Sequence, residues 1–142
     1  MYKRQVAGTS YVIGGFLPNE AISLGFAVGA LSTGILVANN LRDRISDKRA
    51  GRKTLAIRFG QLFSRWEYVI CMLLPIFLVL YAIIAQSLET KYALSLSYLL
   101  WAYSPIISVL KGADGRDLNK VLEKSGKATL SFGLLFALTS FL

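Results

Sequence analysis

Three long apolar runs without a charged residue constrain the fold of this chain more than any other feature. They cover residues 21–38, 68–85 and 92–110. Each is close to the roughly 20 residues with which an α-helix crosses the hydrocarbon core of a bilayer. Because uninterrupted apolar runs of this length are typical of membrane helices, the pattern predicts an all-α fold, a polytopic transmembrane helical bundle.

The overall composition agrees with a membrane protein. Hydrophobic residues make up 54% of the 142 residues, and the mean hydropathy is +0.52, which is too apolar for a soluble domain of this size. The net charge of +8 is also found in proteins that bind nucleic acid. Here, however, the basic residues lie in short segments between the apolar runs, so we expect a lipid bilayer and no nucleic acid as partner.

The charge of the connecting segments predicts their sides of the membrane. Segments 39–65 and 111–127 are rich in Lys and Arg, whereas the turn near Pro18 and segment 86–91 are nearly neutral. Lys and Arg are concentrated in cytoplasmic loops. We therefore expect a multi-pass protein of the cell inner (plasma) membrane, with segment 39–65 on the cytoplasmic side.

The residues that the chain lacks limit its chemistry. Cys71 is the single cysteine, so a disulfide within the chain and a thiolate zinc site are excluded. The absence of histidine removes the commonest general base. Any reaction must therefore depend on carboxylates, amides, hydroxyls and cations.

Segment 39–60, NNLRDRISDKRAGRKTLAIRFG, carries the candidate site. Asn39, Asp43 and Asp47 recur at every fourth position, which places them on one face of an α-helix. Two carboxylates one turn apart repel each other unless a cation lies between them. Mg²⁺ binds carboxylate oxygens and bridges readily to phosphate oxygens.

Cationic residues follow this acidic pair closely. They are Lys48, Arg49, Arg52, Lys53 and Arg58. The combination suits a magnesium diphosphate. From spacing alone, the alternative is that the two aspartates form salt bridges with Arg42, Arg44 or Lys48.

The same segment resembles the second aspartate-rich motif of the UbiA superfamily of intramembrane prenyltransferases, most closely in the branch that acts on 1,4-dihydroxy-2-naphthoate in menaquinone synthesis. The matching positions are Asn39, Asn40, Arg42, Asp43, Asp47, Ala50, Gly51, Thr54, Leu55, Ala56 and Gly60. The order Arg52-Lys53 departs from the Lys-Arg order of that branch, and the two side chains present different donor geometry. The resemblance covers residues 6–142, as the C-terminal half of a nine-helix fold.

The resemblance implies a reaction and roles for named residues. A polyprenyl group would pass from an allylic polyprenyl diphosphate to 1,4-dihydroxy-2-naphthoate, with loss of carbon dioxide, to give demethylmenaquinone. Asp43 and Asp47 would be the catalytic ligands of Mg²⁺. The substrate-binding residues would be Asn39, Arg49, Arg52 and Lys53. Because members of the family carry another aspartate-rich motif in their first half, we expect residues 1–142 alone to be nearly inactive.

Three other functions are consistent with the sequence. The first is another member of the superfamily, acting on 4-hydroxybenzoate, haem or homogentisate. The second is a transporter fragment in which the aspartates relay ions or protons, as intramembrane carboxylates often do. The third is a membrane scaffold without catalysis.

The two ends of the chain lead to further expectations. Residues 1–5, MYKRQ, resemble a translated sequencing adapter, with a genuine short basic N-terminus as the alternative. Residues 6–17 are predicted to be the tail of a transmembrane helix. Asp117 is a predicted N-cap of a short amphipathic helix with Leu118, Val121 and Leu122 on one face. Residues 128–142 are too few to cross a bilayer unless their helix begins earlier, near Leu118.

Small residues recur along the first apolar run in two stripes. The stripes consist of Gly25, Gly29 and Thr33, and of Ala30, Gly34 and Ala38. Small side chains let helix backbones approach closely, so both stripes are predicted to be helix contacts.

Overall fold

A computed structural model describes residues 11–12, 14–15, 19–139 and 141. The interpretation of residues 1–5, and most of the predicted helix tail at 6–17, lie outside the described residues.

Helices account for almost all of the described chain, and no strand occurs among those residues. The helices are α1 (Asn19–Arg42), α2 (Arg44–Arg49), α3 (Leu55–Arg58), α4 (Gly60–Ala85), a 3₁₀ helix (Thr90–Tyr98), α5 (Leu99–Leu110) and α6 (Asp117–Thr139). Three segments are long and apolar enough to cross a membrane: Ala21–Arg42, Gly60–Ala85 and Thr90–Leu110. The predicted all-α, multi-pass membrane fold is therefore confirmed.

The core lies where α1, α4, the 3₁₀ helix and α6 meet. α1 packs mainly along α4, while α6 packs against α5, the 3₁₀ helix and α1. Tyr98 is fully buried there, donates a hydrogen bond to the Met72 carbonyl at 2.6 Å and meets Phe132 edge-on at 5.5 Å. Pro75 has no backbone N–H, so the Cys71 carbonyl, four residues earlier, lacks its usual helical donor. The carbonyl that accepts from Tyr98 belongs to the next residue, Met72.

The structure corrects the prediction of a short amphipathic helix after Asp117. A single helix of 23 residues runs from Asp117 to Thr139. Leu118, Val121, Ala128 and Phe132 are all buried, so the amphipathic beginning and the apolar end share one continuous buried face. The alternative that the last helix begins near Leu118 is confirmed.

Only one of the two small-residue stripes is a packing surface throughout. Ala30, Gly34 and Ala38 are buried, and a Cβ on Gly34 would lie 2.5 Å from Cε of Met72 on α4. In the other stripe, a Cβ on Gly29 would meet nothing within 4 Å. The backbone of α1 therefore approaches α4 closely at Gly34.

Side-chain hydrogen bonds tie the helices together at both ends of the bundle. At one end, Arg42 of α1 donates to Asn119 of α6 at 3.1 Å, and Gln61 of α4 donates to Asp114, just before α6, at 3.0 Å. At the other end, Ser23 donates to Gln86 at 2.9 Å. The two basic segments thus share one end of the bundle, which we call the charged end.

Candidate functional site

The predicted polar stripe lies where α1 passes into α2. The Asp43 N–H donates to the Asn39 carbonyl at 2.9 Å, and the Asp47 N–H donates to the Asp43 carbonyl at 2.8 Å. This i to i−4 pattern continues across the junction of the two helices. Asn39, Asp43 and Asp47 therefore share one helical face, as their spacing predicts.

Arg42 positions two members of the stripe. Its Nε and Nη2 donate to the two carboxylate oxygens of Asp43 at 2.8 and 2.9 Å, and Nη2 also donates to Oδ1 of Asn39 at 2.8 Å. Its Nη1 reaches Asn119 on α6. The hydrogen bonds from Arg42 lower the pKa of Asp43 below its ordinary value. Asp43 is therefore an ionised acceptor held in a fixed orientation.

Asp47 is buried and has a different arginine partner. Its side chain is 8% exposed, and its Oδ1 accepts a hydrogen bond from Nη1 of Arg52 at 2.9 Å. Arg52 itself is 70% exposed. A buried carboxylate is thus compensated by a cation whose remaining donors face outward.

Gly51 explains how Arg52 returns to Asp47. Gly51 has φ +71°, its N–H donates to the Lys48 carbonyl at 3.2 Å, and the Arg52 N–H donates to the Asp47 carbonyl at 2.9 Å. These two bonds after a residue with positive φ define a Schellman motif, the common end of an α-helix. The sequence Ala-Gly-Arg therefore ends α2 and turns the chain back over the acidic stripe.

The structure brings some of the predicted site residues together and leaves others apart. Asn39, Asp43, Asp47 and Arg52 are joined by the bonds described above. Arg49 lines a separate open cavity of about 370 Å³ beside Arg44 and Lys48. Lys53 lines another, of about 490 Å³, with Arg58. Neither Arg49 nor Lys53 bonds to the aspartates within the described chain.

Two contacts at the site were missed by sequence reasoning. The pairing of Asp43 with Arg42 was among the salt-bridge alternatives predicted from spacing. The pairing of Asp47 with Arg52 was not predicted. The Gly51 C-cap was a usable signal for that pairing. Asn119 was missed because its contact with Arg42 joins residues 77 positions apart, which no local pattern reveals.

The donor chemistry of the stripe fits part of a magnesium site. Asp43 and Asp47 offer hard oxygen ligands, although both oxygens of Asp43 and one of Asp47 already accept bonds from arginine. No group of three or more acidic, Cys or His side chains that could hold a metal occurs among residues 19–139. Mg²⁺ commonly binds one or two carboxylates and completes its shell with water and substrate phosphate oxygens. The pair suits such shared coordination.

The fold and the site define a class of protein. It is the class of multi-pass α-helical membrane proteins with acidic and basic side chains gathered at the end of one span. The family model of the UbiA prenyltransferase family matches residues 5–141. The chain therefore belongs to the UbiA prenyltransferase family, and the resemblance noted from segment 39–60 is confirmed.

Several characterised proteins are similar to this chain. The 1,4-dihydroxy-2-naphthoate octaprenyltransferase of Mycobacterium tuberculosis is 33% identical over 132 residues, covering 93% of this chain and 44% of that protein. The enzyme of the same name from Escherichia coli is 30% identical over 142 residues, covering 96% and 44%. The UbiA prenyltransferase domain-containing protein 1 of Xenopus tropicalis is 34% identical over 108 residues, covering 75% and 30%.

The chain thus spans less than half the length of the curated relatives that it matches. No solved structure gives a significant match.

Proposed function

We propose that this chain is part of a Mg²⁺-dependent prenyltransferase. It transfers a polyprenyl group from an allylic polyprenyl diphosphate to 1,4-dihydroxy-2-naphthoate, with decarboxylation, and gives demethylmenaquinone. The observation that carries the proposal is the stripe of Asn39, Asp43 and Asp47, held by Arg42 and Arg52 at the end of a membrane span. The similarity to two naphthoate octaprenyltransferases supports this choice of acceptor.

In this proposal the aspartates are the metal ligands and the neighbouring cations bind diphosphate. Mg²⁺ bound by Asp43 and Asp47 would offset the charge that develops on the departing diphosphate. Arg42 keeps Asp43 and Asn39 in position. Arg52 is close to Asp47 and mostly exposed, and its planar fork suits phosphate oxygens.

Arg49 and Lys53 extend this positive surface beyond the stripe. Both are exposed and lie within ten residues of Asp43 along the chain. They attract the diphosphate and contact it outside the metal ligands. The apolar spans below exclude water, which would otherwise capture the allylic cation.

We also propose a membrane side for the site. The charged end of the bundle faces the cytoplasm across the inner (plasma) membrane, because it carries both basic segments. A soluble aromatic acid and Mg²⁺ reach the stripe from that side, while the polyprenyl chain remains in the bilayer.

The test joins residues 6–142 to the part of the Escherichia coli relative that this chain does not cover. The fusion is produced in a strain without that relative, and its membranes receive an allylic prenyl diphosphate and 1,4-dihydroxy-2-naphthoate. We expect Mg²⁺-dependent formation of the prenylated, decarboxylated quinone, identified by mass spectrometry. The Asp43→Asn and Asp47→Asn variants should each lose at least a hundredfold in turnover, with normal insertion into the membrane.

Controls separate this function from its alternatives. Asp114→Asn removes a carboxylate at the charged end but outside the stripe, and it should retain turnover. Products formed only with 4-hydroxybenzoate or homogentisate would reject the naphthoate. Wild-type turnover in Asp43→Asn, or ion flux through proteoliposomes without prenyl transfer, would overturn the assignment. Residues 1–142 alone are expected to give little product.

A further inference from the structure

Another polar cavity lies at the charged end, between the last turns of α5 and the first turns of α6. Its volume is about 340 Å³. Its polar lining consists of Ser104, Ser108, Lys111, Asp117, Lys120 and Lys124. The buried side chains of Pro105 and Val121 also line the cavity. This lysine cavity shares no lining residue with the aspartate stripe.

The lysine cavity holds an excess of positive charge. Three ammonium groups line it together with one carboxylate, that of Asp117. Nζ of Lys124 donates to Oγ of Ser104 at 2.7 Å, which fixes this ammonium group at the wall. Lys111 and Lys120 form no ion pair with any residue in the described part of the chain. Like charges gathered in this way are stabilised by an anion.

Side chains, and not the helix terminus, are the available donors. The first backbone N–H groups of α6 are already bonded, because those of Asp117, Leu118 and Asn119 donate to carbonyls three residues earlier. Ser108 donates to the Ser104 carbonyl. The Ser104 hydroxyl oxygen accepts from Lys124, so its O–H can still donate to a ligand. The lysines and Ser104 can therefore bind a phosphate group directly.

The surroundings of the lysine cavity indicate a membrane ligand. The cavity lies at the end of the segment Thr90–Leu110, which is able to cross a membrane. Trp101, one turn before Ser104, is 47% exposed, and Nζ of Lys127 lies 5.7 Å from its ring centre. Trp101 lies within the span, so its contact with Lys127 extends the cationic lining from the cavity along the two helices. Leu100 and Tyr103 expose 82% and 70% of their surfaces nearby on α5, which gives acyl chains an apolar path.

We propose that the lysine cavity binds the phosphate of an anionic phospholipid headgroup. Lys111, Lys120 and Lys124 surround the phosphate, and basic pockets between membrane helices are known to recognise such headgroups. Asp117 accepts a hydrogen bond from a headgroup hydroxyl, so phosphatidylglycerol suits the lining. Free phosphate offers the same charge but leaves the apolar surface of α5 unused. The inference is independent of the prenyl-transfer proposal.

Native mass spectrometry of the detergent-purified protein tests this inference. The protein is titrated with dioleoylphosphatidylglycerol and, separately, with dioleoylphosphatidylcholine. We expect wild type to retain one phosphatidylglycerol at concentrations where phosphatidylcholine dissociates. The double variant Lys111→Ala/Lys120→Ala should bind phosphatidylglycerol at least tenfold more weakly.

A matched variant controls for the loss of charge. Arg116→Ala/Lys91→Ala also removes two cations, but neither residue lines the cavity, so it should bind like wild type. Equal weakening in both double variants would show nonspecific attraction and overturn the site. If Lys111→Ala/Lys120→Ala does not fold, Lys120→Gln and Lys120→Arg replace it, and only the glutamine variant should weaken binding.

A soluble-anion titration identifies the source of the phosphate. Inorganic phosphate at millimolar concentration should leave phosphatidylglycerol bound, because it lacks the acyl contacts. Phosphate binding that is lost in the lysine variants, together with equal phosphatidylglycerol binding in all proteins, would assign the cavity to a soluble anion and reject the lipid.

Discussion

Arg52 contacts Asp47 twice, since its backbone N–H donates to the Asp47 carbonyl and its Nη1 donates to the Asp47 carboxylate, each at 2.9 Å. Arg52 thus both ends α2 and compensates the charge of the buried Asp47 carboxylate. Both contacts require the chain to reverse direction at Gly51.

The first prediction concerns Gly51→Ala. A side chain at φ +71° is strained, and the left-handed conformation costs roughly 1–2 kcal/mol for residues other than Gly. We expect the free energy of unfolding to fall by about 1 kcal/mol and diphosphate binding to weaken, because Arg52 is displaced. Gly126→Ala, within α6 and with open space around its Cβ, is the control and should not destabilise. Thermal unfolding in detergent compares them, and equal midpoints would contradict the role of Gly51.

The second prediction concerns acid stability. The folded pKa of Asp43 lies below its ordinary value because Arg42 hydrogen-bonds the ionised form. The stabilisation is therefore complete above the unfolded pKa of about 3.9 and is lost as the pH falls through the lower folded value. With 35% of the Asp43 side chain exposed, the effect is small.

Thermal unfolding at several pH values between 2 and 6 measures this effect. Wild type should lose more stability below about pH 4 than Asp43→Asn does. Identical pH profiles for wild type and Asp43→Asn would show that the Arg42 contact contributes nothing to folding.

The third prediction compares two glycines of α1. A Cβ at Gly34 meets Cε of Met72 at 2.5 Å and Cβ of Cys71 at 3.4 Å. Gly34→Ala should be mild, because the end of the Met72 side chain can move, whereas Gly34→Val should cost about 1–3 kcal/mol through overpacking. Gly29→Val, facing open space, should cost less. Unfolding in a denaturing detergent measures all three, and equal losses for the two valine variants would remove Gly34 from the interface.

The fourth prediction concerns a buried hydroxyl pair between α4 and α6. The oxygens of Tyr68 and Ser125 are 2.6 Å apart, and Ser125 donates to the Val121 carbonyl at 2.7 Å, so Tyr68 is the donor to Ser125. A double-mutant cycle with Tyr68→Phe and Ser125→Ala should give a coupling of about 0.6 kcal/mol, the average for membrane hydrogen bonds. A coupling of zero would show that the contact is not stabilising.

The apolar runs were sufficient to predict the membrane-crossing segments, because a long uncharged run has few other stable conformations. The stripe of Asn39, Asp43 and Asp47 followed in the same way from helical spacing. Arg42 was among the salt-bridge partners that spacing offered, but Arg52 was not, since a pattern of residue types indicates a helical face but not the direction in which a long side chain turns. Arg52 reaches Asp47 only because of the backbone conformation of Gly51.

The sequence left open whether the last helix begins near Leu118, for a related reason. The Asp117 N-cap and the face of Leu118, Val121 and Leu122 suggested a short amphipathic helix separate from the apolar end. The buried positions Val121, Ser125, Ala128 and Phe132 nevertheless follow one another at spacings of three or four residues, so a single helix accommodates both parts. Which face of that helix is covered depends on α1, α5 and the 3₁₀ helix, which local periodicity does not specify.

The 3₁₀ helix makes the segment Thr90–Leu110 longer than a regular α-helix with the same number of residues. Its 9 residues rise by roughly 2.0 Å each and the 12 residues of α5 by roughly 1.5 Å each, so together they extend roughly 36 Å. A regular α-helix of the same 21 residues would extend only roughly 32 Å, against roughly 39 Å for the 26 residues of α4. The 3₁₀ conformation of the first 9 of these 21 residues thus brings two neighbouring spans of unequal residue number close to the same length.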